Sequence, residues 1–176
     1  TGALIPLPPA LRSKGISRRS GLLVKEIKKL KGNRYHLVVG HNPGALYPSF
    51  YAAQMFNAKS GFDVEDYHPG EGDNPREQKL TKSLMNELLP KMDYVSFASP
   101  KKKKKHIEDA GLEGKNWQVV LNFFPAKDFI FSKPATNNSA ILQLVWFSQN
   151  INYKRGLEQV IPALDNFKDK IVLTLI

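Results

Sequence analysis

The 176-residue sequence contains no cysteine. That excludes disulfide bonds, a thiolate nucleophile and any Cys-ligated zinc or iron–sulfur centre, and it suits a reducing compartment. Acidic residues are few: 16 Asp and Glu face 26 Lys and Arg, a net charge of +10. Such an excess points to an anionic partner. No apolar run approaches the ~20 residues that span a bilayer as a helix. A G-x-S-x-G elbow, a P-loop and a G-x-G-x-x-G turn are all missing, so the common nucleophile and phosphate-cradling loops are excluded. Helix-turn-helix, zinc-finger and RNP-type signatures are missing too. The aromatics sit in apolar runs rather than among the lysines, which disfavours nucleic acid as the partner. At 41% hydrophobic and 24% charged residues, the chain is otherwise ordinary for a folded domain.

What is present is alternation. Leu22, Leu23, Ile27 and Leu30 recur at helical spacing among Lys25, Lys28, Lys29 and Lys31. They predict an amphipathic helix with a basic outer face, preceded by a loop holding Arg12, Lys14, Arg18 and Arg19. Residues 35–40 read as a buried strand of the parallel kind, followed by a turn at His41-Asn42-Pro43-Gly44 and a mostly buried helix over 45–56. Strands are expected over 60–66, 93–99 and 117–121, and helices over 75–89 and 101–110. Residues 122–138 have no period. A strand over 141–147, a helix over 155–164 and a strand over 171–176 complete the series. Strand–helix alternation predicts an α/β fold, a Rossmann-like parallel sheet with helices on both faces. The expected domains are 1–125, a linker over 126–140, and the start of a second, truncated αβ domain over 141–176. With Thr at position 1 and a strand at the last residues, the chain is expected to be a fragment of a longer protein.

In open parallel sheets, ligands bind beyond the carboxyl ends of the strands. One such loop is Asp63-Val-Glu-Asp-Tyr-His-Pro-Gly-Glu71, with Asp63, Glu65, Asp66, His68 and Glu71 close together. On a strand, Asp63 and Glu65 point to one face and Asp66 to the other. This set suits hydrogen bonding to hydroxyl-rich ligands or proton transfer; the plainer reading is a solvated acidic loop. The spacing matches no standard metal-ligand motif, so no metal is expected. A second loop, Ser148-Gln-Asn-Ile-Asn-Tyr-Lys-Arg-Gly156, opens a helix. Lys154 and Arg155 there, with Gln149 and Asn150, suit a diphosphate; the alternative is a solvated cationic turn. Lys101 to Lys105 read either as a solvated helix face or as an attractor of anionic lipid, at roughly 1 kcal/mol per lysine. Trp117 and Trp146 are read as core residues.

Four segments resemble the retaining, nucleotide-sugar-dependent glycosyltransferases of the GT-B fold, of the family-4 type. They are Leu37-Val-Val-Gly-His-Asn-Pro-Gly-Ala-Leu46, Phe62-Asp-Val-Glu-Asp-Tyr-His-Pro-Gly-Glu71, Leu89-Pro-Lys-Met-Asp-Tyr-Val-Ser-Phe-Ala-Ser-Pro100, and Val145-Trp-Phe-Ser-Gln-Asn-Ile-Asn-Tyr-Lys-Arg-Gly-Leu-Glu158. The resemblance implies transfer of a sugar from a nucleoside-diphosphate donor to a hydroxyl of a glycan or lipid-linked acceptor, with retention and without cofactor or metal. It implies that Lys154 or Arg155, with Gln149 and Asn150, faces the donor phosphates. His68 would contact the transferred sugar or orient the acceptor, and Glu71 and Asp66 would hold the acceptor or set the orientation of His68. His41, Asn42 and Glu65 would lie on the acceptor side. The expected location is cytoplasmic, peripheral at the inner face of an anionic membrane. Three features depart from the pattern: no first strand with a glycine-rich loop is evident, the second domain is expected to stop after two strands, before the late acidic motif that grips the donor, and Ser148-Gln149-Asn150 replaces the usual Gly-Arg. The chain alone is expected to be inactive. The competing readings are a non-catalytic polyanion-binding α/β module and another sugar-nucleotide enzyme, such as an epimerase.

Overall fold

The structure, a computed structural model, describes residues 7–71, 73–111, 116–128, 140–148, 151, 153 and 155–176. The chain divides into two compact units, Thr1–Phe124 and Pro125–Ile176. The first opens with helices α1 (Pro9–Ile16) and α2 (Arg18–Lys29). Then come β1 (Leu37–His41), α3 (Pro43–Phe56), β2 (Lys59–Val64), α4 (Pro75–Leu88), β3 (Tyr94–Phe97), α5 (Pro100–Ala110) and β4 (Trp117–Val119). The four strands are parallel, in the order β1-β2-β3-β4, so the fold is α/β, a Rossmann-like parallel sheet flanked by helices.

Local chemistry sets the crossovers. α3, α4 and α5 each open on proline, whose fixed φ suits a first turn where no amide partner is needed. The Asn74 side chain accepts from the amides of Arg76 and Glu77, and Ser99 accepts from the amide of Lys102. Asn57 and Gly111 end α3 and α5 in left-handed conformations. Phe62, Val64, Val95 and Phe97 alternate onto one sheet face and are fully buried with Leu46 of α3 and Leu84, Met85 and Leu88 of α4. Trp117 joins this core, as its sequence context predicts. A Cβ on Gly40 would lie 2.5 Å from Ser49 Oγ and 2.9 Å from its Cβ. Glycine at 40 therefore lets α3 approach β1.

Three expectations change in this unit. The basic segment before α2 is a helix, not a loop. Pro9 starts it, and Arg12 is buried where its guanidinium meets Glu87 and donates to Ser83 Oγ at 2.7 Å. α2 buries a different stripe from the one its leucines suggest. Ser20 is buried and Val24 and Ile27 are half-buried, while Leu22, Leu23 and Leu30 are exposed. The small Ser20 meets Ser13 of α1 through their hydroxyls, so closeness of the helices decides the inward face. Finally, β1 is an edge strand among the described residues: Leu37 and Val39 are 53% and 49% exposed rather than buried.

The second unit holds β5 (Leu142–Trp146), α6 (Leu157–Leu164) and β6 (Ile171–Leu175). β5 and β6 pair in parallel, from Leu142 opposite Ile171 to Trp146 opposite Leu175. Leu157 is buried; Trp146, expected in a core, is half-buried. Among the described residues, no helix is long and apolar enough to cross a membrane.

Candidate functional site

The carboxyl ends of β1, β2 and β3 carry the first polar cluster. Register places His41 opposite Asp63 and Asp63 opposite Ser96, on the sheet face away from Phe62 and Val64. Asp63 Oδ1 accepts from Ser96 Oγ at 2.6 Å, and its Oδ2 lies 3.5 Å from His41 Nε2. Glu65 Oε1 lies 3.6 Å from the other ring nitrogen, His41 Nδ1. Asp63 and Glu65 thus share one imidazole, as their strand alternation anticipates. His41, Asp63 and Glu65 each offer one ligand atom, all within 4.8 Å of one another. The two carboxylates face opposite ring nitrogens in the contacts observed. Asn42 follows with φ +65°, a left-handed position that turns the chain sharply from β1 into α3.

The second cluster lies in the loop after β2. A 3-10 turn over His68–Gly70 brings Glu71 back onto the ring, with His68 Nδ1 2.8 Å from Glu71 Oε2. His68 is 4% exposed, and its Nε2 has no partner within the protein. A carboxylate on Nδ1 fixes the protonated nitrogen there and leaves the Nε2 lone pair as an acceptor. Asp66 does not reach this ring. It pairs with Lys102 Nζ of α5 at 2.7 Å, and the same ammonium donates to the Glu65 carbonyl. Below lies His106, its ring 5.5 Å from that of Phe97 and 5.2 Å from that of Tyr67. Burial, and next the proximity of His68, push the His106 imidazole down to about 4, against a hydrogen bond to the Asp66 backbone that raises it. Among the described residues, no hydrogen bond or ion pair joins His68 and Glu71 to His41, Asp63 and Glu65.

In the second unit, Arg155 is exposed, immediately before Gly156, whose φ of +88° starts α6. Gln149, Asn150 and Lys154 lie outside the described residues. Sequence reasoning missed Ser96, Lys102 and His106. Ser96 had a signal, since it alternates away from Val95 and Phe97 beside Asp63. Lys102 had none that separates it from the rest of its lysine run. In that run Lys103 donates to the Trp117 carbonyl at 2.9 Å and Lys105 lies 3.3 Å from Asp109, so part of it braces the fold.

No family model matches this chain, and no curated protein is significantly similar to it in sequence. Solved structures match it in shape. One is the crystal structure of TarM, a glycosyltransferase of the GT-B type, with a TM-score of 0.61. The match covers 89% of this chain and 30% of TarM at 16% identity. The likeness is therefore one of fold, and the chain spans under a third of the TarM length.

Proposed function

We propose that this chain belongs to a glycosyltransferase, as the acceptor-side domain and the start of the donor-side domain. The observation that carries the reading is His68. It is a buried imidazole with Nδ1 held by Glu71 and Nε2 unpartnered, in the strand-end loop of a fold shared with a glycosyltransferase. His68 contacts the transferred sugar or orients the acceptor, and Glu71 sets its tautomer. His41, Glu65 and Asn42 border the acceptor, and Asp66 acts through Lys102 to hold the loop. The reaction moves a sugar, with retention, from a nucleoside-diphosphate donor to a hydroxyl of a glycan or lipid-linked acceptor. Lys154 and Arg155, helped by Gln149 and Asn150, stabilise the leaving diphosphate, so no metal or other cofactor is needed. The exposed basic helices hold the protein at an anionic membrane surface on the cytoplasmic side.

Calorimetric titration of nucleoside diphosphates into the complete two-domain protein tests the reading. Binding is expected, and K154A/R155A is expected to abolish it. His68→Ala is expected to slow sugar transfer by about 10²–10⁴-fold without abolishing diphosphate binding. Loss of neither would refute the assignment. A second reading, a non-catalytic polyanion-binding module, draws on the net charge of +10. Tight, salt-dependent DNA binding that is indifferent to nucleotides would favour it.

A further inference from the structure

We propose that the cavity enclosed by α1, α2 and α3 binds a phosphate-bearing group of about glycerol phosphate size. The inference does not depend on glycosyl transfer, and the cavity shares no residue with the strand-end clusters. It has a volume of about 330 Å³, with Lys14 of α1, Gly21, Lys25 and Lys28 of α2, and Tyr47 and Tyr51 of α3 in its walls. That is near the lower end of ligand pockets, which run from roughly 300 to 1,000 Å³. It holds a phosphate with a short polyol more readily than a whole nucleotide.

Three observations converge. First, no carboxylate pairs with Lys14, Lys25 or Lys28 among the described residues, whereas Lys29, Lys59, Lys91 and Lys102 each have one. Three ammonium groups around one concavity repel each other, and a bound anion removes that cost. Second, Gly21 makes room for a lysine. A Cβ there would lie 3.2 Å from Lys14 Cε, so the Lys14 stem crosses the glycine and α1 supplies a cation to a cavity formed largely by α2 and α3. Third, the opposite wall is aromatic. The Tyr47 and Tyr51 rings are 6.2 Å apart, and Lys28 Nζ sits 5.9 Å from the Tyr51 centroid. A cation beside tyrosine faces suits a phosphate whose carbon skeleton packs on the rings.

A free phosphate ester and a phospholipid headgroup present the same chemistry. α2 favours the lipid, because Leu22 and Leu23 are 63% and 42% exposed among Arg18, Arg19 and Lys25. A helix with leucines and cations on its outer arc suits a membrane interface.

The test uses the whole chain, titrated calorimetrically with glycerol 3-phosphate and floated with phosphatidylcholine vesicles with and without phosphatidic acid. K14A/K25A/K28A is expected to weaken glycerol 3-phosphate binding about a hundredfold, at about fivefold per lysine. R18A/R19A, which removes two cations outside the cavity walls, is expected to leave it unchanged. Tyr51→Leu keeps every charge and is expected to weaken binding a few fold. It also serves as the readout, with the single lysine variants, should the triple variant unfold early. Co-flotation with phosphatidic acid that is reversed by excess glycerol 3-phosphate identifies the lipid source. Glycerol 3-phosphate binding without flotation identifies a soluble ester. No binding by the native chain, or an equal loss in R18A/R19A, overturns the proposal.

Discussion

The two units put similar apolar sequences to different use. β2 and β3 bury Phe62, Val64, Val95 and Phe97 completely, because α3 and α4 cover them. β5 is as apolar as either, yet Val145 is exposed and Phe147 is 80% exposed. Among the described residues, its sheet has two strands and its unit one short α-helix, Leu157–Leu164, whose Val160 and Ile161 are exposed as well. Burial therefore depends on the number of layers available, not on the hydrophobicity of a strand. A two-stranded sheet with little cover is marginal in water. The first unit should carry the cooperative stability of the chain.

Each unit contains one tryptophan, so Trp117 and Trp146 report on them separately. The largest contrast should come from aromatic truncation. Phe97→Ala is expected to cost about 3–5 kcal/mol in urea unfolding followed through Trp117. Phe147→Ala is expected to change stability by no more than about 0.5 kcal/mol. Equal costs would break the comparison. Arg12→Ala should come next, at roughly 2–4 kcal/mol. It strips Glu87 of the guanidinium that, above all by its hydrogen bond, holds that carboxyl below the ordinary range. Alanine at exposed Arg155 should be nearly neutral.

Acid should then sharpen the contrast through the first unit. The His106 imidazole is held at about 4, against an ordinary 6.5. As pH falls through that window the unfolded chain takes up a proton that the folded chain refuses, so stability falls, by on the order of 3 kcal/mol. Below it both states are protonated and the loss is complete. Asp93, whose carboxyl is lowered from 3.8 to about 2, first by the Lys59 hydrogen bond and then by the Ser60 amide, adds a second loss over that lower range. Urea midpoints between pH 7 and 2 measure both, and His106→Phe should flatten the upper phase. Within the first unit, the smallest of these losses is expected from Gly40→Ala, about 1–2 kcal/mol from crowding Ser49. Ser49→Gly in the same chain should relieve the crowding, which separates close helix approach from loss of a flexible residue.

Much of the fold is legible because its signals are local. Pro75 opens α4 after the Asn74 cap, Gly111 ends α5, and Phe62-Asp-Val alternates between core and ligand edge. What misleads is settled far away in the chain. α1 looks like a loop until Arg12 finds Glu87, 75 residues on. The inward face of α2 is chosen by the Ser13–Ser20 contact, against its leucines. Of the site, the His68–Glu71 pair is readable as a short spacing that a tight turn closes. The separation of Asp66 towards Lys102, 36 residues away, is not, because nothing local distinguishes one lysine of five.

The edge position of β1 makes it a strand of two exchange rates. The His36 carbonyl accepts from the Lys59 amide, so alternate residues, Val38 and Gly40, turn their amides towards β2. Leu37, Val39 and His41 turn theirs away from β2, to the side where no described strand pairs with them. In deuterated solvent the former should retain their protons for as long as the sheet survives, while the latter lose theirs at once. The amide of His41, at the mouth of the strand-end cluster, would then register any ligand that settles over it as a sudden slowing.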